Sequence, residues 1–305
     1  WTLDEAEAVL EPEDARIFCA FYDITKEGNF EGKSILRIQR APNQFCEEEE
    51  IGQDELLEVL ERSRQKMFAV REKRIKPGLD DKVLTSWNGL MIGAMALAGR
   101  ITGEESYLEA GRRAADFVLT RMRGESGLLR THRAGVSRLN AYLDDYAFMM
   151  MGLVDLYETS FEVRWLDAAA SLAREAIDRY WDEREGGFFF TSNDHEELIV
   201  RKKISQDGAI PSGNSVAALS LLRLGKLTGD DALSERGAET IRAFGQYIER
   251  APAAFHMMLV ALDFYLDEPM EIAVVGDPGK EDTALQPAFH AALTESVGRR
   301  RMRAA

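Results

Sequence analysis

The chain carries a repeated pattern in which a nearly all-apolar segment is followed by a short polar turn and then by an amphipathic segment. Aligning Tyr107, Trp165 and Leu233, which open the amphipathic segments, spaces the copies by 58 and 68 residues. Such self-similarity is typical of repeat architectures. The three copies occupy residues 89–122, 146–181 and 214–248.

Each copy predicts two helices of different character. The first segment is apolar on nearly all sides, which predicts a helix buried on both sides. In the second, apolar residues such as Ala110, Ala114 and Phe117 recur at helical spacing with arginines between them, so one face meets water. Short connections make the two helices antiparallel neighbours. Repetition of this unit predicts an all-α fold, an (α/α)6 toroid of helical hairpins.

The remaining segments complete this plan. We predict further helices and strands at Pro12–Tyr22, Asp54–Arg74 and Pro252–Leu266 (helices), at Ser34–Arg40 (a short strand), and at Gly186–Thr191 with Leu198–Arg201 (a small β-hairpin in an inter-repeat loop). A buried strand at residues 271–279 and a helix at Thr283–Val297 predict a different kind of element. We therefore divide the chain into a barrel, residues 1–268, and a strand–helix extension, residues 269–305.

Composition narrows the function classes. With 38 basic and 53 acidic side chains the formal charge is -15, which disfavours binding to nucleic acid or to an anionic membrane surface. No apolar stretch approaches the ~20 residues of a membrane span. The two cysteines, Cys19 and Cys46, lack metal-ligand spacing, and they indicate a reducing, cytoplasmic location. No metal-binding or nucleotide-binding motif occurs, so we predict neither a metal nor another cofactor.

Three polar clusters stand just before the apolar helices, at Asp80–Gly89, Tyr142–Tyr146 and Pro211–Ser215. If the repeats close into a ring, equivalent positions share one rim, and the clusters converge on a concave mouth. Acidic and hydroxyl side chains before a helix are also ordinary N-caps. Paired carboxylates beside aromatic rings, however, are what carbohydrate chemistry uses.

These clusters supply the candidate site. Asp80, Asp81, Asp144 and Asp145 are the candidate acid/base residues. The candidate ligand-binding residues are Trp87, Asn88, Tyr142, Tyr146, Ser212, Asn214 and, if its loop faces the mouth, His132. For His195 we favour a solvated loop residue and for His256 a core histidine. The run Arg201–Lys203 is either an anion-binding segment at the mouth or a solvated strand end, and we favour the second interpretation.

The motif residues together resemble a known family. Asp80–Met91, Leu143–Ala147 and Pro211–Ser215, with Arg71–Arg74 and Gly28–Lys33, are similar to the spermatogenesis-associated thioredoxin-domain (DUF255) family. The resemblance covers nearly the whole chain. It implies a barrel similar to N-acylglucosamine 2-epimerases and six-hairpin glycosidases, preceded in the full-length protein by a thioredoxin-like domain. It also implies that this chain begins inside the barrel, so that N-terminal hairpins are missing.

Two functions remain open at this point. The first is a carbohydrate-active or sugar-binding barrel, glycosidase-like or epimerase-like if it is an enzyme, with a carbohydrate or other small molecule as its ligand. Epimerases of this fold rely on histidines at the mouth, and the chain has only 4. The alternative is a non-catalytic binding or regulatory module that accompanies the thioredoxin-like domain.

Overall fold

The structure, a computed structural model, describes residues 1–195 and 199–267. Within these ranges the backbone is mainly α-helical, with one small antiparallel sheet. The chain separates into two units, Trp1–Asp80 and Asp81–Ala305, which we describe in turn. The extension predicted at residues 269–305, with its strand and helix, lies outside the described residues.

The first unit contains four helices. They are α1 (Leu3–Glu7), α2 (Pro12–Phe21), α3 (Pro42–Glu48) and α4 (Gln53–Arg71). Proline opens α2 and α3, where its missing N–H costs no helical hydrogen bond. Two predicted helices, Pro12–Tyr22 and Asp54–Arg74, are thus present with slightly earlier ends. The predicted strand Ser34–Arg40 is extended chain without a ladder partner.

The second unit contains the repeated hairpins. Its helices are α5 (Thr85–Thr102), α6 (Glu105–Arg121), α7 (Leu143–Ser160), α8 (Val163–Tyr180), α9 (Gly213–Thr228), α10 (Asp231–Arg250) and α11 (His256–Leu266). The inner helices α5, α7, α9 and α11 pack in a row, each against the next. The outer helices α6, α8 and α10 each pack against the inner helix that precedes them. The predicted fold class is confirmed: the described hairpins form consecutive parts of an α/α toroid.

Short turns give all the hairpins the same direction. Only two residues separate the helices of each pair, at 103–104, 161–162 and 229–230. Because the hairpins run alike, α5, α7 and α9 begin at the same end of the row. We call this end, marked by Thr85, Leu143 and Gly213, the inner-helix rim. The three polar clusters predicted from the sequence stand at this rim.

Three strands of the sheet come between α6 and α7 in the chain, and the fourth comes just before α5. Its strands are β1 (Val83–Leu84), β2 (Arg123–Gly124), β3 (Gly127–Arg133) and β4 (Val136–Asn140). β3 pairs antiparallel with the other three, and Val83 of β1 lies opposite His132 of β3. The predicted hairpin at 186–201 does not form a ladder among the described residues. Its place is taken by a single bridge between Trp181 and Phe188 and by a bond from Phe190 N to Lys202 O, 2.8 Å.

The inner helices α5 and α7 approach unusually closely. A Cβ atom added at Gly89 would lie 2.5 Å from the carbonyl carbon of Phe148, and one at Gly152 would lie 2.4 Å from Gly89 O. Only hydrogen fits at these two positions, so the backbones of α5 and α7 touch. The first turns of both helices are thereby held side by side at the inner-helix rim.

Charged side chains also link the inner helices. Arg223 of α9 lies 2.8 Å from Asp155 and 2.9 Å from Glu158, both of α7. The guanidinium is largely covered, with 15% of the side chain exposed. We call these three residues the Arg223 cluster. Since two carboxylates share one covered cation, each depends on Arg223 for charge compensation.

Candidate functional site at the inner-helix rim

Asp145 binds two helix starts at once. Its Oδ1 accepts a hydrogen bond from Ser86 N in the first turn of α5 at 2.9 Å, and its Oδ2 accepts one from Tyr142 N at 2.9 Å. The side chain is fully buried. Carboxylates are stabilised at helix N-termini, where unpaired N–H groups and the helix dipole favour negative charge. Asp145 therefore positions α5 against α7, and its buried oxygens are not open to a ligand.

Asp144 differs from its neighbour in exposure and in protonation. It is only half-buried, and it accepts a hydrogen bond from the backbone N–H of Gly213, the first residue of α9. Burial and the adjacent Asp145 raise the pKa of Asp144 to about 6, against a smaller opposing effect of Arg130. Burial also raises the pKa of Asp145, although its two N–H partners and Arg130 oppose this. Asp144 is the rim carboxyl that can hold a proton close to neutral pH and still meet solvent.

An aromatic and cationic group surrounds Tyr142. Its ring stacks on Phe190 at 4.7 Å and on His195 at 5.1 Å between centroids. The Arg130 guanidinium lies 4.7 Å from the same ring, and its Nη1 lies 3.6 Å from Asp145 Oδ2. With three groups packed against it, the Tyr142 ring is not a free platform for a sugar. His195, expected to be a solvated loop residue, is instead part of this group.

The third cluster is occupied by internal hydrogen bonds. Ser212 caps α9, since its Oγ accepts from Ser215 N at 3.1 Å. Asn214 is fully buried, and its side chain bonds Phe188 N, Phe188 O and Ile204 O at 2.8 to 2.9 Å. These bonds fix the chain that enters α9. The structure thus gives Ser212 and Asn214 structural contacts and no solvent-facing polar atom to bind a ligand.

Two further candidates are also engaged within the fold. Tyr146 is fully buried, and its hydroxyl accepts from Leu128 N at 3.0 Å and donates to Glu175 at 3.2 Å. Burial raises the pKa of Tyr146 to about 12. Asn88 donates to Leu84 O at 2.8 Å, one turn back along its own chain. The Tyr146 ring is not placed to stack on a ligand.

Of the remaining candidates, Trp87, Asp80 and Asp81 are exposed and His132 is half-buried. Trp87, in the first turn of α5, is 62% exposed and stands next to Ser86, the partner of Asp145. Asp81 is exposed and pairs with Arg133 of β3. His132, also on β3, is held by Ser137 Oγ at 2.9 Å and packs edge-on against Phe117. Asp80 is an exposed residue of the first unit.

The structure therefore brings together only part of the predicted site. Asp144, Asp145 and Tyr142 lie together at the inner-helix rim, and Trp87 stands exposed on the first turn of α5, which begins there. Arg130 joins them, although nothing in its sequence surroundings distinguishes it from other surface arginines. Phe190 belongs to an aromatic run whose side chains were expected only to form a hairpin. His256, expected in the core, is exposed at the start of α11.

The fold defines the class of protein. A GH76 α-mannanase from Bacteroides thetaiotaomicron superposes with a TM-score of 0.50 at 17% identity, over 79% of this chain and 68% of that one. A sugar epimerase from a ruminal bacterium has a TM-score of 0.46 at 13% identity, over 80% and 71%. The described hairpins have the α/α-toroid fold seen in the mannanase. At these identities the likeness concerns the fold alone.

Sequence comparison then gives the relatives. The chain is 34% identical to rat spermatogenesis-associated protein 20 over 275 residues, which are 86% of this chain and 35% of the relative. The human protein is 30% identical over 322 residues, covering 95% and 41%. No family model matches. The chain is a homologue of one part of spermatogenesis-associated protein 20, and it spans 35 to 41% of the length of these relatives.

One further property concerns the length and hydropathy of the helices. Among the helices of residues 1–195 and 199–267, none combines the length and the apolar character that crossing a membrane requires.

Proposed function

We propose that the inner-helix rim binds a carbohydrate, with Asp144 as the proton-carrying group and Trp87 as the stacking surface. One observation carries the proposal: Asp144 is a half-buried carboxyl whose pKa is raised to about 6 beside the buried Asp145. A carboxylic acid that keeps its proton near neutral pH can protonate a glycosidic oxygen or exchange a proton at a sugar carbon. Which of these reactions takes place depends on the substrate.

The surroundings of Asp144 support this role. Asp145, Ser86 and Gly213 hold the first turns of three helices around it, so its carboxyl is fixed by the fold. Trp87 stands exposed on the turn that Asp145 fixes. An exposed indole on the same rim as a positioned carboxyl is a suitable surface for the apolar face of a sugar ring. Neither residue is needed to fill the core.

A second candidate function rests on a different observation. Internal hydrogen bonds occupy the polar side-chain atoms of Asp145, Tyr146 and Asn214. A rim where these polar groups are engaged within the fold suits a binding or regulatory module that performs no reaction and accompanies the thioredoxin-like domain predicted for the full-length protein. A cytoplasmic location, predicted from the two cysteines, also stays a prediction.

A glycan and sugar-phosphate screen on the 305-residue chain tests both candidates. Mannose oligosaccharides are the first probe, because an α-mannanase shares the fold. We expect Trp87→Ala to weaken binding several-fold through loss of stacking. We expect Asp144→Asn to abolish turnover if the rim is catalytic, with binding retained.

Asp167→Asn is the matched control, since Asp167 is an exposed carboxylate of α8 far along the chain from the rim residues. Binding without turnover in the parent chain selects the non-catalytic module. If the parent binds no glycan, or if both Trp87→Ala and Asp144→Asn bind and react as it does, the rim is not the site.

A further inference from the structure

A cleft of about 1010 Å³ opens beside the C-terminal half of α10, against the segment that leads from α8 into α9. Its aromatic walls are Trp181, Phe189 and Tyr247. Neither Asp144 nor Trp87 lines it. Phe189 faces the cleft, whereas the next residue, Phe190, stacks on Tyr142, as expected for successive side chains of extended chain. The cleft and the inner-helix rim are therefore separate surfaces.

Some of the charged side chains that line the cleft form ion pairs and others do not. They are the cations Arg184, Arg201 and Lys203 and the carboxylates Asp182, Glu183 and Glu185. Lys203 Nζ lies 2.5 Å from Asp182 and 3.5 Å from Glu185. Glu183 lies 3.7 Å from Arg236. Over the part of the chain that the structure describes, no carboxylate forms an ion pair with Arg201.

Arg201 is nevertheless held in a fixed orientation. Its guanidinium lies 4.1 Å from the centre of the Phe189 ring, and its Nη2 donates to Thr191 O at 2.5 Å and to Arg179 O at 3.4 Å. Its Nε is buried and has no hydrogen-bond partner among the described residues. Asp182 favours the charged form of Arg201 through space but forms no ion pair with it. A partly buried cation without an ion-paired carboxylate is costly to a fold, above all where hydrogen-bonding capacity is left unused. Such a cation is a suitable partner for a ligand that brings an anion.

The aromatic walls indicate what should accompany that anion. Tyr247 of α10 is 57% exposed, and Trp181 packs edge-on against Phe188 with the Arg236 guanidinium 4.5 Å from its ring. Tyr247 therefore offers a flat surface at the edge of the cleft, whereas the Trp181 ring is largely covered. Guanidinium groups bind carboxylates and phosphates in a planar, two-pronged geometry. The cleft thus combines an oxyanion partner with surfaces for a ring.

We propose that this cleft binds a polar ring bearing an oxyanion, a sugar acid or a sugar phosphate, with Arg201 bound to the oxyanion and Tyr247 packed on the ring. The site stands apart from the function proposed for the inner-helix rim. The anion would thus be bound in the cleft and not at the mouth, where the sequence analysis considered anion binding by Arg201–Lys203. Because the chain carries a net charge of -15, no general positive field attracts an anion, and binding depends on Arg201 itself.

Titration calorimetry on the 305-residue chain tests the proposal with four probes: D-glucuronate, D-glucose 6-phosphate, inorganic phosphate and D-glucose. We expect one of the two charged sugars to bind and glucose not to bind. Which charged sugar binds distinguishes a carboxylate from a phosphate ligand. We expect Arg201→Met to weaken that binding about tenfold or more, because hydrogen bonds to a charged group are lost.

The controls separate this site from other causes. Arg174→Met removes the same charge from the exposed side of α8 and should leave the affinity unchanged. Tyr247→Ala, a change at a mainly exposed residue, should weaken the charged sugar several-fold without unfolding the chain, even if Arg201→Met folds poorly. Asp144→Asn should leave this binding intact, whatever it does at the rim. Failure of both charged sugars to bind overturns the proposal, as does inorganic phosphate binding as tightly as the sugar phosphate. Unchanged affinity in both Arg201→Met and Tyr247→Ala also overturns it.

Discussion

Replacing Asp144 by asparagine should make the fold more stable at neutral pH. Asp144 loses solvent on folding and stands beside Asp145, so ionising it costs more in the folded chain than in the unfolded chain. Its pKa consequently rises on folding. A raised carboxyl pKa means that the folded state binds the proton more tightly. The free energy of unfolding therefore falls as the pH rises from the unfolded to the folded pKa.

The size of the effect follows from the two pKa values. The pKa of Asp144 rises from 3.8 to about 6, and each pKa unit corresponds to 1.36 kcal/mol. Ionisation of Asp144 thus lowers the free energy of unfolding by about 3 kcal/mol above pH 6, and by nothing below pH 3.8. Asparagine keeps an oxygen that can accept from the N–H of Gly213 and carries no charge. We expect Asp144→Asn to be more stable than the parent by about 3 kcal/mol above pH 6, with the difference shrinking to nothing as the pH falls to 3.8.

Urea denaturation of parent and variant at several pH values between 4 and 8 measures this difference. Other titrating groups are common to both proteins and largely cancel in the comparison. Asp178→Asn, at an exposed position of α8, is the control and should shift the free energy of unfolding by no more than ~0.5 kcal/mol. A variant that is less stable than the parent by the same amount at every pH would refute the reasoning, because the carboxyl would then act only through its hydrogen bond.

Three further changes test the packing and the polar contacts. Gly89→Ala should lower the free energy of unfolding, measured in urea, by about 2 kcal/mol or more, because its Cβ would overlap the backbone of α7. The control is Gly245→Ala, whose Cβ would meet nothing within 4 Å and which should stabilise the chain by up to ~1 kcal/mol. Asn214→Ala should lower the free energy of unfolding by about 3 kcal/mol, because three buried hydrogen bonds are lost. Asn193→Ala, at an exposed position, should lower it little, and equal losses would contradict this account. Arg223→Met should cost about 2 kcal/mol at pH 8, because Asp155 loses its cation. Burial raises the pKa of Asp155, so the loss should shrink in acid as this carboxyl takes up a proton; a loss that does not change with pH would be the contrary result.

Periodicity predicted the hairpins well because burial itself imposes it. The apolar stretches became α5, α7 and α9 to within a few residues, since each is covered on several sides by other helices. The small sheet was not predicted, because β3 and β4 carry mixed polar residues and are joined by Ala134 and Gly135, a weak turn signal. Pairing across that turn depends on contacts the local pattern does not contain.

The same limit applies to the candidate site. An aspartate before a helix has the same sequence appearance whether it caps the helix or faces a ligand. Asp144 and Asp145 are neighbours in the chain, yet Asp145 binds the starts of α5 and α7 and Asp144 keeps access to solvent. Tyr146, one residue further along, turns inward to Glu175. These roles differ because successive side chains of a helix point in different directions and so contact different neighbours.

Gly89 of α5 and Gly152 of α7 let the backbones of the two helices touch. No side chain stands between the two backbones at Gly89 and Gly152, so contact between main-chain atoms sets the distance between the helices there. Main-chain atoms are the same whatever side chains stand elsewhere in the chain. Homologous chains that keep hydrogen at both positions should therefore share the same separation of the Ser86 and Tyr142 amides, however much their loops diverge. A larger residue at either position would widen the gap and detach Asp145 from one of its two partners.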